Sequence, residues 1–145
     1  MSVSINNTIH QRGPFTRIEA AAAAGLSPGH ILERTSAGAL QKQSTSVGWT
    51  ERIIAVEDAL QGNTTATAYA TGDMVQANIE LGGNLVQAML HAGTNYTTGM
   101  KLCCNGDGTL KQVTGSEKDD VAVVIDALDL SASGAVDTLT KVRIM

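Results

Sequence analysis

The chain has 145 residues, a formal net charge of −4, and a composition that is 43% hydrophobic but only 3% aromatic. This length fits one domain, and its 10 basic residues are scattered, so the positive patch of a nucleic-acid-binding protein is missing. No apolar run approaches the roughly 20 residues of a membrane helix, and the first residues, MSVSINN, lack the features of a secretory signal. We therefore expect a protein made and kept in a cytosol, with neither nucleic acid nor a membrane as partner. A core with so few aromatic rings buries less apolar area per residue, which favours additional burial between subunits.

Residues 1–15 are polar except for isolated apolar positions, and they end at a Gly-Pro pair. This composition predicts an extended N-terminal arm, followed by a single β-rich domain over residues 16–145. Val3 and Ile5 alternate with polar residues, as in a segment that adds a strand to a partner's sheet edge. A frayed terminus is the alternative interpretation.

Residues 17–26 contain the run IEAAAAAG, which has the strongest helix propensity in the chain. The run is short, so two outcomes are open: it forms one or two helical turns, or tertiary contacts override its helix propensity. Residues 57–62 predict a single helical turn or tight bend that ends at a glycine.

Elsewhere the pattern is one of short apolar or alternating segments separated by glycine-containing turns, which predicts a mainly β fold. Residues 121–130 are apolar at nearly every position and predict a strand buried on both faces. Strands are predicted at 30–35, 39–43, 52–57, 74–79, 85–90, 100–104, 109–113, 121–130 and 137–145.

The candidates for metal chemistry are weak. His10, His30 and His91 lie far apart and have no carboxylate or cysteine at ligand spacing in the sequence. Residues 105–108, NGDG, resemble the middle of a calcium loop, but Cys103 and Thr114 stand where that loop needs acidic residues. A hairpin turn explains this segment better, and we predict no bound metal and no cofactor.

The candidates for covalent catalysis are also weak. The sequence contains no Gly-x-Ser-x-Gly elbow, and neither Cys103 nor Cys104 has a neighbouring base. Adjacent cysteines in a strand point to opposite faces, so two reduced thiols are expected. We predict no catalytic residues and no enzymatic activity.

Three motifs follow one another from residue 28 onward. They are a Pro-Gly strand start (28–35, PGHILERT), an Ala-x-Glu-Asp-x-x-x-Gly corner (55–62) and a Tyr-x-x-Gly-Asp-x-Val strand (69–75). In this order and spacing, the sequence resembles the small capsid decoration proteins of tailed bacteriophages, also called cement or head-stabilising proteins. The resemblance covers residues 20–113.

This resemblance implies a β-barrel-like domain or β-tulip sandwich with an extended N-terminal arm and one or two short helical turns. It also implies a virion protein that is made in the host bacterial cytoplasm and binds the outer surface of the capsid. Such proteins cross-bridge neighbouring subunits of the major capsid protein without covalent bonds, usually as homotrimers at three-fold and quasi-three-fold positions. They have no catalytic residues.

The predicted capsid contacts are the apolar positions of the arm, Val3, Ile5, Ile9 and Phe15, together with Trp49 in its polar loop. A place in the core is the equal alternative for Trp49. We expect a chain without residues 2–14 to fold but to lose head protection. Two other functions stay open: a small β-barrel enzyme, hydrolytic or metal-dependent, and another virion component such as a tail or head-fibre subunit.

Overall fold

A computed structural model describes residues 8–115 and 120–145 of the chain. These residues form a mainly β structure, as the sequence predicts. The strands are β1 (His10–Arg12), β2 (Phe15–Ala21), β3 (Ile31–Arg34), β4 (Leu40–Lys42), β5 (Ile53–Ala55), β6 (Met74–Glu80), β7 (Leu85–Leu90), β8 (Asn95–Tyr96), β9 (Lys101–Cys104), β10 (Leu110–Gln112), β11 (Ala122–Val124), β12 (Leu128–Asp129) and β13 (Thr138–Ile144), and a 3₁₀ helix covers Ala59–Gln61.

Five strands close into a small barrel. The order β7-β10-β9-β11-β13 returns to β7, because all six residues of β7 also pair with β13. The other edge of β7 is shared, with β10 beside Leu90 and β1 beside Leu85 and Val86. Closure removes the free edges of these strands, and the interior is filled by aliphatic side chains and Tyr96.

The second sheet has the order β2-β6-β5-β3-β4 and is antiparallel throughout. Its strands β3 and β5 are buried on both faces. Ile31 and Ile54 pack in the barrel core, while Leu32 and Ile53 pack in a second core on the opposite face. The sheet curls at its margins, where Ala22 bridges to Leu40.

The alanine-rich run is a strand, not a helix. All seven residues of β2 pair with β6, from Phe15 opposite Glu80 to Ala21 opposite Met74. Ile18 and Ala20 pack against the second core. A helix of this length is marginal on its own, whereas the strand satisfies its backbone on β6 and buries one face, so tertiary context overrides propensity.

Two other expectations are resolved by the structure. The predicted turn at 57–62 is a 3₁₀ helix closed by Gly62, whose φ of 77° is left-handed. The apolar segment 121–130 is two short strands instead of one, because the amides of Ile125 and Asp126 both turn to the carbonyl of Lys141. No helix among residues 8–115 and 120–145 is long and apolar enough to cross a membrane.

The two sheets are joined at a corner that the chain crosses twice. The first crossing leads from β1 to β2 through Gly13 and Pro14, and the second leads from β6 to β7 through residues 81–84. The crossings lie side by side, since β1 pairs with β7 and β2 pairs with β6. Gly13 has a φ of 109°, and a Cβ there would lie 2.0 Å from Asn84 Oδ1, so only glycine fits.

The described part of the predicted N-terminal arm belongs to the folded body. Ile9 is 0% exposed and packs in the barrel core, and its amide donates to Glu57 Oε2 at 3.0 Å. Gln87 Nε2 donates to the carbonyl of Thr8, and β1 pairs with β7. Ile9 is therefore a core residue and not an exposed anchor. Two further predicted anchors, Val3 and Ile5, lie outside the described residues.

Candidate functional site

The largest exposed ring in the molecule belongs to Trp49, which is 76% exposed. A place in the core, one of the two predicted readings, is therefore wrong for this conformation. Trp49 lines a cleft of about 150 Å³ together with Glu33, Arg34, Thr50 and Glu51. Arg34 Nε donates to Glu51 Oε1 at 3.0 Å, so the exposed ring lies beside a surface ion pair.

The loop that carries Trp49 is held in place on both sides of the ring. The amide of Val47 donates to the carbonyl of Cys104, and the amide of Arg52 donates to Thr50 Oγ1. Val47 and Arg52 have φ angles of 56° and 60°, a left-handed conformation that costs non-glycine residues free energy. The loop is thus ordered and strained while its largest apolar side chain is left in solvent.

Glu33 lies at the rim of the same cleft. Its Oε1 accepts hydrogen bonds from the amide and hydroxyl of Ser44 and from Gln41 Nε2. The Ser44 hydroxyl is the main cause that lowers the pKa of Glu33 below its usual value. The rim therefore carries a fixed negative charge at neutral pH.

Phe15 lies at the same end of the second sheet as the Trp49 loop. Phe15 is paired with Glu80, and the amide of Glu80 donates to the carbonyl of Arg52 at 3.1 Å, so Arg52 is two strands away. Adjacent strands are about 4.8 Å apart, which sets this backbone separation at roughly 10 Å. Phe15 is 41% exposed and packs its ring against that of His10, with 4.5 Å between centroids.

Two further exposed apolar residues flank this end of the sheet. Leu81 follows Glu80 directly, and the backbone of Met145 lies beside Gly82. We call the set Phe15, Trp49, Leu81 and Met145 the end surface. The sequence prediction named only Phe15 and Trp49, because their common location depends on sheet register. The one sequence signal for Leu81 was that it is an apolar residue inside the turn cluster 80–84.

The corner beneath the end surface is filled by buried polar groups. The Glu80 carboxylate lies 2.7 Å from His10 Nδ1 and accepts a hydrogen bond of 2.8 Å from Asn84 Nδ2. Asn84 Nδ2 also donates to the carbonyl of Pro14. These contacts join β1, β2, β6 and β7, so they position Phe15 and Leu81.

A second cluster lies at the end of β7. His91 Nδ1 is 3.7 Å from Asp107 Oδ2 and 3.6 Å from Asp137 Oδ1, and all three side chains are exposed. Partial burial raises the pKa of Asp107, but hydrogen bonds from Thr109 outweigh it and lower that pKa overall. The group could hold a divalent cation or form ion pairs with a protonated histidine. Sequence spacing did not reveal it, because its members come from three separate loops.

His30 has a structural role. It is buried, and its Nδ1 accepts a hydrogen bond of 3.0 Å from the amide of Ser27. Burial, with a smaller contribution from Lys42, lowers the pKa of His30 to about 4. The imidazole is therefore neutral at physiological pH and holds the turn before β3.

Catalytic constellations are not apparent among the described residues. An open polar cleft of about 450 Å³ includes Asp58, Tyr69, Asp73 and Met74, but its lining contains no Ser–His or Cys–His pair. Cys103 and Cys104 are buried and form no disulfide, as expected for reduced thiols. What the surface offers instead is apolar side chains with charged neighbours, a composition suited to binding a protein.

The fold, a closed five-stranded barrel joined at a corner to a second antiparallel sheet, has a counterpart among solved structures. The chain is similar to the N base of the head fibre protein gp8.5 of bacteriophage phi29. The TM-score is 0.57 at 13% sequence identity, and the match covers 91% of this chain and 95% of that chain. No protein-family model matches the sequence, and no curated protein matches it.

Proposed function

We propose that this protein is a structural component of a phage virion that sits on the outside of the head and contacts the major capsid protein. One observation carries the proposal: nearly the whole chain has the fold of the base of a phage head fibre. The sequence resemblance to capsid decoration proteins points independently to the same location. A head-fibre base and a capsid decoration protein are both structural components, which supports a role without catalysis.

The end surface is the proposed contact with the capsid. Trp49, Phe15, Leu81 and Met145 are exposed apolar side chains near the end of the second sheet where the chain turns toward β7. Tryptophan is enriched among the residues that dominate binding free energy at protein interfaces. The Arg34–Glu51 ion pair beside Trp49 supplies the polar rim that such contacts have.

Two more specific roles fit this location on the head. As a head-fibre base, the domain would bind the capsid and carry a fibre, and the similarity to gp8.5 favours this role. As a decoration protein, it would cross-bridge capsid subunits and stabilise the head, and the three sequence motifs favour this role. In both roles, modest contacts with several subunits become strong through effective concentration.

A homotrimer at three-fold and quasi-three-fold positions is the proposed assembly. Its support is the resemblance to decoration proteins and the low aromatic content, 3%, which leaves a light core. The apolar residues Val3 and Ile5 are proposed to contact neighbouring subunits. Neither nucleic acid nor a membrane is proposed as a partner.

Sedimentation with heads tests this function. The purified protein is mixed with expanded, undecorated heads of the phage that encodes it, and the pelleted heads are analysed for bound protein. We expect binding that saturates at a fixed ratio to the major capsid protein. Failure to co-sediment at any concentration would contradict the proposal.

The same heads distinguish the two specific roles, fibre base and decoration protein. Heads with and without the bound protein are heated, and DNA release is measured. A cement protein raises the temperature of release, whereas a fibre base binds without changing it. Stoichiometric metal in the purified protein, together with a hydrolytic activity abolished by His91→Ala, would favour the enzyme alternative instead.

A further inference from the structure

Strand β2 is an open edge of the second sheet. Its seven residues pair with β6 on one side only. Among the described residues, no backbone hydrogen bond reaches Phe15–Ala21 from the other side. The sheet curls shut only after the strand ends, where the amide of Ala23 donates to the carbonyl of Leu40. Such a row of unpaired amides and carbonyls is a template for a further strand.

This edge lacks three of the features that normally block strand addition, namely proline, lysine and a β-bulge. Its sequence, FTRIEAA, contains no proline or lysine, and its register against β6 is regular, without a bulge. Two charges lie in its middle. The exposed side chain of Glu19 has no ion pair or side-chain hydrogen bond recorded among the described residues, and the Arg17 side chain lies against the neutral side chains of Asn78 and Gln76 and the ring of Phe15.

We propose that β2 pairs with β2 of a second copy of this chain, antiparallel and with the two-fold axis at Ile18. In this register Arg17 of each copy lies opposite Glu19 of the other, so the contact contains two opposite-charge pairs. Ile18 faces Ile18 of the other copy, and Thr16 faces Ala20. Seven paired residues give about six to eight backbone hydrogen bonds, and the two five-stranded sheets become one continuous sheet of ten.

The sequence selects this register over its neighbours. In an antiparallel pair the two residues that face each other point to the same side of the sheet, so a symmetric contact is centred on a residue. Centring on Arg17 or on Glu19 would place like charges directly opposite, which is destabilising. Centring on Ile18 turns both charges into favourable pairs and extends the second core through Ile18 and Ala20, which already pack against it.

The contact is two-fold, so it is distinct from a three-fold assembly, and it shares only Phe15, the first residue of β2, with the end surface. It would join two protomers in solution or two neighbouring assemblies on a head. It does not depend on the proposed function, since it concerns only copies of this chain.

Charge reversal tests the contact. Arg17→Glu and Glu19→Arg are made singly and together, and the self-association of the full chain is measured by sedimentation velocity over a range of concentrations. Each single change places like charges opposite each other, and we expect it to weaken the dimer at least about tenfold. The double variant restores opposite pairs in reversed order, and we expect its association to return to near the wild-type level.

Arg143→Glu, on the exposed face of β13, is the matched control and should leave association unchanged. Thermal unfolding of each variant shows that the fold is intact. A wild-type chain that stays monomeric at all concentrations would overturn the proposal. So would a self-associated form that neither single substitution weakens, or a double variant that associates no better than the single ones.

Discussion

At the scale of single residues, Trp49 is the clearest functional candidate, because the molecule holds it in solvent at a cost. Its loop contains two non-glycine residues with positive φ, one of them the β-branched Val47. Strain of this kind, about 1–3 kcal/mol per residue, persists only where the surroundings enforce it. The hydrogen bond from Val47 to Cys104 is one such constraint, since it ties the loop to the barrel.

We predict that Trp49→Ala weakens head binding without destabilising the protein. An exposed side chain contributes little to folding, so the free energy of unfolding should change by less than about 0.5 kcal/mol. Loss of a buried interface tryptophan typically costs about 2 kcal/mol or more, which is roughly a thirtyfold weaker affinity. Co-sedimentation with heads and urea unfolding measure the two quantities.

Leu60→Ala is the matched control for Trp49→Ala. Leu60 is 96% exposed and lies on the 3₁₀ helix, next to the polar cleft that includes Met74. Met74 and Phe15 are at opposite ends of the β2–β6 pairing, so Leu60 is far from the end surface. Equal loss of binding in both variants would show that the end surface is not the contact.

His30 gives the protein a defined dependence of stability on pH. Its pKa is about 4 in the folded protein against 6.5 for an ordinary histidine, so the unfolded chain binds a proton more readily. The stabilisation that the neutral His30 side chain contributes is complete above pH 6.5 and is lost as the pH falls to 4. The free energy of unfolding should decrease by up to about 3 kcal/mol across this window.

His30→Asn tests this prediction, because asparagine retains an acceptor near the position of Nδ1 but does not titrate. Chemical unfolding at several pH values between 7 and 4 measures the effect. The variant should show a much flatter profile in this window than the wild type. Asp107 and Asp137 also face His30 and oppose the lowered pKa, so identical profiles would mean that their charges cancel the effect of burial.

At the scale of elements, the corner between the sheets depends on a buried carboxylate. Glu80 is almost fully buried and contacts His10 and Asn84, which link it to β1 and to the start of β7. Buried polar groups are costly when a partner is removed, because the remaining groups stay desolvated. The corner is therefore a place where one substitution affects four strands.

We predict that Glu80→Ala destabilises the protein by about 2–4 kcal/mol, since it removes the partner of His10 Nδ1 and one of the two acceptors of Asn84 Nδ2. Urea unfolding measures the change. Glu51→Ala is the control, because its ion pair with Arg34 is at the surface, and such pairs contribute at most about 1 kcal/mol. A loss of stability at Glu80 no larger than at Glu51 would contradict the prediction.

Sequence reasoning succeeds for elements whose pattern matches their surroundings. Segments 74–79 and 85–90 were predicted as strands because alternation and short apolar runs match sheets with buried faces. Their placement in different sheets was not predictable, since it depends on the corner and not on the turn residues. The alanine run was ambiguous for a related reason: its intrinsic preference is helical, and only pairing with β6 decides the outcome.

The end surface shows the same limit. Trp49 and Phe15 could be singled out as large apolar residues in polar surroundings, but their location at one end of a sheet follows from strand order. His91, Asp107 and Asp137 come together for the same reason, at the ends of separate strands. A site whose residues come from strands that are distant in the sequence cannot be found from the spacing of residues in that sequence.

At the scale of the whole molecule, the position of Ile9 changes the design of the arm experiment. A deletion of residues 2–14 removes a side chain that is fully buried in the barrel core, and it also removes β1 from the edge of β7. Loss of a buried isoleucine alone typically costs about 2–5 kcal/mol. The expectation that this truncated chain folds normally therefore conflicts with the structure.

We predict that deletion of residues 2–7 leaves stability unchanged and weakens head binding, whereas deletion of 2–14 destabilises the domain by at least about 3 kcal/mol. The shorter deletion keeps Thr8, whose carbonyl accepts from Gln87, and keeps Ile9 in the core. Urea unfolding separates the two truncations, and co-sedimentation with heads measures the contribution of the arm. If the chain without residues 2–7 binds heads as well as the full chain, the end surface alone makes the contact. If the chain without residues 2–14 is as stable as the full chain, the packing of Ile9 and β1 contributes nothing to the fold.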